Sequence, residues 1–139
     1  MTDTDVDKLL TSLQERAKEL NCLYEVEQIL ARLDLPLDEA FQQVVEVIPP
    51  GWQYPDICRA MIEYDDRVFT QEEFRATPWV LSSDIVVQGS VVGGLSVWYT
   101  EERPREDIGP FLNEEERLIR TITDRLGQSI LFHRMYETR

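Results

Sequence analysis

One histidine, two cysteines and two lysines are all that the chain contains of those residues. No apolar run approaches the ~20 residues of a membrane span. Each scarcity removes a class of function. With His133 as the only imidazole, Ser-His-Asp and Cys-His catalysis would both depend on that one residue, and no motif around any serine or cysteine supports either. Cys22 and Cys58 have neither metal nor redox spacing; one falls on a predicted helix and the other on a predicted strand, where buried free thiols are expected. The opening residues Met1-Thr2-Asp3-Thr4-Asp5 lack the basic and apolar regions of a signal peptide, which points to a cytoplasmic protein.

Positive charge is scarce as well. Fourteen basic residues face 27 acidic ones, for a net charge of −13. Lys8 and Lys18 are the only lysines, and Arg103 and Arg105 are offset by Glu101, Glu102, Glu106 and Asp107. A nucleic-acid binder needs a basic surface to displace counterions from phosphates. Anionic membranes demand the same. Neither partner is expected, and the acidity reads as a solvated, self-repelling surface.

What is present is ordinary globular material. Hydrophobic residues make up 42% of 139 residues, enough for one domain with its own core. Residues 1–35 read as a long amphipathic helix with its pattern from about Val6 to Leu33: Leu9, Leu13, Ala17, Leu20, Tyr24 and Leu30 recur at spacings of three, four and seven. Leu10, Leu23, Val26 and Ile29 widen that stripe. Residues 36–112 read as a second helix, about Leu37 to Val47, followed by an antiparallel sheet. Pro49-Pro50-Gly51 stops the helix.

Five or six strands are expected between about Tyr54 and Thr100. They include Ile57–Tyr64, a short return at Arg67–Thr70, and a hairpin of Trp79–Gln88 with Ser90–Thr100 turning at Gly89. Gly93-Gly94 points to a bulge or a close backbone approach. Residues 113–139 read as a last helix with Asn113 as N-cap and Glu116 completing a capping box. Its pattern runs to the end of the sequence, so an effector domain is expected after Arg139. The fold class is α+β, with helices on one face of an antiparallel sheet.

This order resembles the GAF domain family. The long first helix Leu9–Leu33, the Pro49-Pro50-Gly51-Trp52 segment, the hairpin Ile85–Val97 and the last helix after Phe111-Leu112-Asn113-Glu114-Glu115-Glu116 fall where that family places them, over nearly the whole chain. PAS domains share much of the sheet. The resemblance implies a central antiparallel sheet of profilin/PAS-like type, terminal helices on one side and a small-molecule pocket on the other. It implies a prokaryotic sensory or signal-transduction module that regulates an attached effector. The Asn-Lys-Phe-Asp-Glu signature of cyclic-nucleotide-binding members is absent, and no Cys-His pair is placed for tetrapyrrole attachment. The sequence therefore names no cofactor.

Candidate site residues follow from strand phase. Arg59 alternates out of step with Cys58, Ala60 and Ile62, and Asp84 and Gln88 lie on another strand. Trp52, Tyr54, Trp79, Trp98 and Tyr99 offer large rings with one polar group each, which suits a pocket but more often marks a core. If a ligand binds, Arg59, Trp79, Asp84 and Trp98 are expected on the sheet face away from the helices. The acidic pairs Asp65-Asp66, Glu101-Glu102 and Glu106-Asp107 read as solvated loop carboxylates. His133 reads as a helix-end histidine suited to the dipole. A homodimer through the terminal helices is expected, with Leu9, Leu13, Ala17 and Leu20 at its interface. Three functions are compatible: a ligand-sensing regulatory domain, a ligand-free dimerisation module and, last, a small redox or hydrolytic enzyme.

Overall fold

The computed structural model describes residues 2–137. Helix α1 (Asp3–Leu30) is followed by α2 (Leu37–Val47), strands β1 (Cys58–Tyr64), β2 (Arg67–Thr70), β3 (Val80–Val87) and β4 (Ser90–Tyr99), and helix α3 (Asn113–Glu137). The four strands form one antiparallel sheet in the order β2-β1-β4-β3. The fold is α+β. Arg139, after which an effector domain is expected, lies outside the described residues.

Two tight turns set the sheet. Asp65 and Asp66 both have positive φ between the paired Tyr64 and Arg67, as do Gln88 and Gly89 between Val87 and Ser90. Such two-residue connections match the right-handed twist of the strands they join. The Gly93-Gly94 expectation is met twice. The β3–β4 register shifts between Ile85 and Val86, and a Cβ on Gly93 would lie 2.1 Å from the Glu63 carbonyl oxygen. The expected count of five or six strands is corrected to four. The Tyr54 end is taken up by a 3-10 turn at Pro55–Ile57, and the polar 71–78 stretch pairs with no strand.

One sheet face is buried by helices. Cys58, Ala60, Ile62 and Tyr64 on β1, and Leu95, Val97 and Tyr99 on β4, point into the core. There α2 lies against β1 and β2, and α3 against β3. Helix α1 packs on α2, on α3 and on the Pro49–Gly51 turn. A Cβ on Gly51 would lie 2.7 Å from the Cβ of Cys22, which is why glycine stands at that crossing.

Helix starts differ in detail from the sequence reading. Thr2 caps α1: its hydroxyl accepts the Asp5 N–H, and its own N–H donates to the Asp5 carboxylate. For α3 the capping carboxylate is Glu115 rather than Glu116. It accepts the Leu112 N–H at 2.8 Å, while Leu112 O receives the N–H groups of Glu115 and Glu116. Asn113 instead donates its N–H to Asp107 at 2.9 Å.

In the interior of α3, Gly127 sets the spacing of helix and sheet, because an added Cβ would lie 2.5 Å from the Val86 carbonyl oxygen. Alanine is favoured over glycine by about 1 kcal/mol in a helix, but the obstacle here is backbone. Gly127→Ala is therefore expected to destabilise the protein by about 1–3 kcal/mol in urea denaturation; a stabilised variant would refute the close-approach explanation.

Candidate functional site

The sheet face away from the helices carries most of the sequence-predicted site. Arg59 and Trp98 are directly paired across β1 and β4, and both are half-buried. Asp84 lies opposite Gly94 on the same face, exposed. The Trp98 indole N–H donates to Ser96 Oγ at 2.8 Å.

The stretch 71–78 crosses this face as a strap held by side chains. Phe74 sets its ring edge-on to Trp98 with centroids 5.5 Å apart. Glu73 approaches Arg59 at 3.7 Å. The Gln71 side-chain oxygen accepts the Ala60 N–H at 2.8 Å, and Arg75 donates to Thr100 O at 3.2 Å. Arg59 also donates to the Cys58 and Asp56 carbonyls, so its guanidinium is largely engaged within the chain.

Trp79 is not part of that constellation. It precedes β3 in the phase of inward-facing Leu81, and its carbonyl receives the Tyr99 N–H. Its ring lines a different depression, open to solvent and about 600 Å³, with Arg103, Arg105 and Pro110. The remaining space on the outer face, about 240 Å³, lies at Glu63, Ser82, Asp84, Gly93, Gly94 and Ser96. Pockets for drug-sized ligands run from ~300 to ~1,000 Å³. The strap occupies the area above Arg59 and Trp98 where a larger ligand would lie.

Most other aromatics serve the core. Trp52 and Tyr99 are fully buried. Tyr99 stacks on Phe111 at 4.7 Å and meets Tyr54 edge-on at 5.5 Å, with Arg103 over the Tyr54 ring. Both thiols are free and buried, and burial pushes Cys22 up to about 12 and Cys58 well above its ordinary value, so both are held as thiols. His133 is half-buried in a groove with Tyr64, Arg67 and Arg134, next to Phe132. Among the described residues there is no group of three or more His, Cys, Asp and Glu side chains placed to hold a metal, and no helix is long and apolar enough to cross a membrane.

A second arrangement escaped the sequence reading. The apolar positions of α1 are two stripes rather than one broad stripe. Cys22, Val26, Ile29 and Leu30 are buried against the domain. Val6, Leu10, Leu13, Ala17, Leu20 and Tyr24 are all exposed, the five large ones between 41% and 58%. At about 100° per residue the two stripes lie on roughly opposite sides of the helix. The exposed stripe steps by four and three residues alternately, the spacing of a heptad seam, and Leu9 (53% exposed) flanks it. Every residue from Thr2 to Gln14 is exposed, so the first turns of α1 stand clear of the core.

Phe74→Ala removes an aromatic contact of about 0.5–1.5 kcal/mol, so trypsin cleavage after Arg75 is expected to accelerate roughly twofold to tenfold. An unchanged cleavage rate would show that Phe74 does not hold the strap.

Comparison with family models, with curated proteins and with solved structures finds no match to this chain.

Proposed function

We propose that the chain is a non-catalytic regulatory module on a GAF-like scaffold, and that it works by pairing with a second copy of itself along α1. The observation that carries this reading is the exposed heptad seam. A helix needing only to cover its own domain requires one apolar stripe, and α1 has a second on its far side. Each of those large side chains left in water forgoes part of the ~1.5–3 kcal/mol that full burial provides.

Charge favours a like partner. In a chain of net charge −13, the positions flanking the seam are Asp7, Leu9, Gln14, Arg16, Asn21 and Leu23, one acid and one base. Two copies can approach there without the repulsion that opposes contact elsewhere, and depletion of charge marks the centre of protein interfaces. Twofold dimers are the commonest homo-oligomers. The outer face of α3 is different: Arg117, Arg120, Thr121, Asp124 and Gln128 are exposed and polar, and Phe132 is apolar near its end. The pairing reading therefore rests on α1 more than on the two terminal helices equally.

Helix α1 is also placed to transmit. Glu27 binds Arg125 through two guanidinium nitrogens, and Arg16 and Leu20 share a groove with Glu114 and Leu118, so α1 and α3 run parallel. A change in how two α1 helices pack would reach α3 along its length. The small volume left on the outer sheet face favours this association reading over sensing of a drug-sized ligand.

Light scattering in the micromolar range is expected to give twice the 16.3 kDa chain mass. Leu13→Asp with Leu20→Asp is expected to give a monomer with its helical circular dichroism retained, because both side chains are exposed in the protomer. A wild-type mass that stays monomeric as concentration rises would refute the pairing.

A further inference from the structure

The exposed seam of α1 is symmetric about Glu15. Its six residues form three pairs, each equidistant from that position: Leu13 with Ala17, Leu10 with Leu20, and Val6 with Tyr24. One further feature lies beside the seam. Arg16 and Leu23 face α3, where they line a depression of about 150 Å³ together with Leu20 and Leu118. Leu9 stands seven residues before Arg16 and therefore on that same side of the helix, 53% exposed.

We propose that two copies of the chain pair antiparallel along α1, in the register centred on Glu15, and that Leu9 of each copy seats over the depression between α1 and α3 of the other. This rests on the pairing proposed above and adds its direction and register.

Side-chain size separates the two directions. The antiparallel register sets alanine against leucine, leucine against leucine, and valine against tyrosine, so a small residue never meets its own kind. A parallel pair sets every residue against its own copy. Ala17 then leaves a gap in one layer, and Tyr24 crowds another. Interface cores pack to the density of protein interiors, where voids and overfilling are both unfavourable.

Charge separates them in the same sense. Asp3 lies one seam step before Val6, so parallel copies bring it against its own copy, with Asp5 and Asp7 of both helices at the same level. In the antiparallel register these first turns lie level with residues 23–27 of the other helix. There Glu25 is exposed, but Glu27 is already bound by Arg125. Arg16 meets its own copy across the twofold axis, and the Glu19 carboxylate stands beside it in each copy to offset that contact.

The depression supplies the third reason. Antiparallel, Leu9 of one copy arrives beside Leu23 of the other, over a surface that Leu20 and Leu118 make partly apolar. Parallel, it arrives beside Gln14 and leaves the depression open. Only the first direction covers Leu9 with apolar surface, and it does so twice in each dimer.

The test places one spin label on the full chain, at Asp5→Cys or at Glu15→Cys, and measures the distance between like labels in the dimer. The native thiols are free and buried, and the unsubstituted chain carried through labelling serves as the blank. At 1.5 Å per residue, antiparallel copies set the two Asp5 positions about 30 Å apart along the axis and the two Glu15 positions level. The Asp5 distance is therefore expected to exceed the Glu15 distance by about 10 Å or more. Leu9→Ala is expected to raise the dimer dissociation constant roughly tenfold. Asp5 and Glu15 distances that agree, in a chain whose light-scattering mass is dimeric, would overturn the antiparallel arrangement and leave the pairing standing. An unchanged dissociation constant in Leu9→Ala counts against the seating of Leu9. A monomeric mass would overturn the pairing and this arrangement with it.

Discussion

Helix α3 lies on β3 so closely that its glycine passes within van der Waals reach of a strand carbonyl. The rest of the architecture depends on that approach. A four-stranded sheet offers one face for a core, and α3 and α2 divide it: α3 under β3, α2 under β1 and β2. Ile119, Ile122, Leu126 and Ile130 are fully buried because Gly127 lets their helix sit down on the sheet. The contact carries one polar link, Ser83 to Thr123 at 2.9 Å, which satisfies two hydroxyls inside the layer. With α2 and α3 covering the sheet, α1 rides on the helices, and only the side of α1 that meets them is buried.

This layering accounts for one of the two apolar sides of α1 and leaves the other without a partner in the protomer. Its inner stripe serves the core through Cys22, Val26, Ile29 and Leu30. Its outer stripe has no such role in the protomer and begins in turns that stand beyond the core. A helix of 28 residues with one working face would dispense with the second set of leucines, since solvent-exposed leucine offers no advantage over glutamate or lysine in helix propensity. The second stripe is the feature that an association function explains and a solitary fold does not.

Charge is distributed by a related logic. Arginines on the surface pair with nearby acids, as in Arg67 with Asp38 and Arg120 with Glu116, and exposed pairs of this kind contribute little stability. The buried acid, Glu115, is treated differently: it is solvated by amides and a hydroxyl in place of a cation. It ties three elements together through those bonds, with no cationic partner among the described residues. The outer sheet face shows the reverse, with Arg59 spent on local carbonyls and on the strap acid Glu73.

Local chemistry by itself determined much of the chain. Helix α2 and strand β2 fall on their predicted residues because proline, glycine and the Asp65-Asp66 turn bound them sharply, and the β3–β4 hairpin follows from β-rich composition on either side of Gly89. Alternation along β1 placed Arg59 on the face away from the helices, and strand pairing then set it beside Trp98. Tertiary structure alone decided the remainder. Trp79 carries the same composition as Trp98, but one residue of phase and a different neighbouring loop send it to another depression. The 71–78 stretch has no periodicity to read because long-range side-chain contacts hold it in place. Glu115 and Glu116 are equivalent in sequence, and only the helix phase at Leu112 selects which is buried and caps. The two stripes of α1 look like one broad stripe until α2 and α3 show which side is covered, because periodicity specifies a helix's faces and packing alone assigns them.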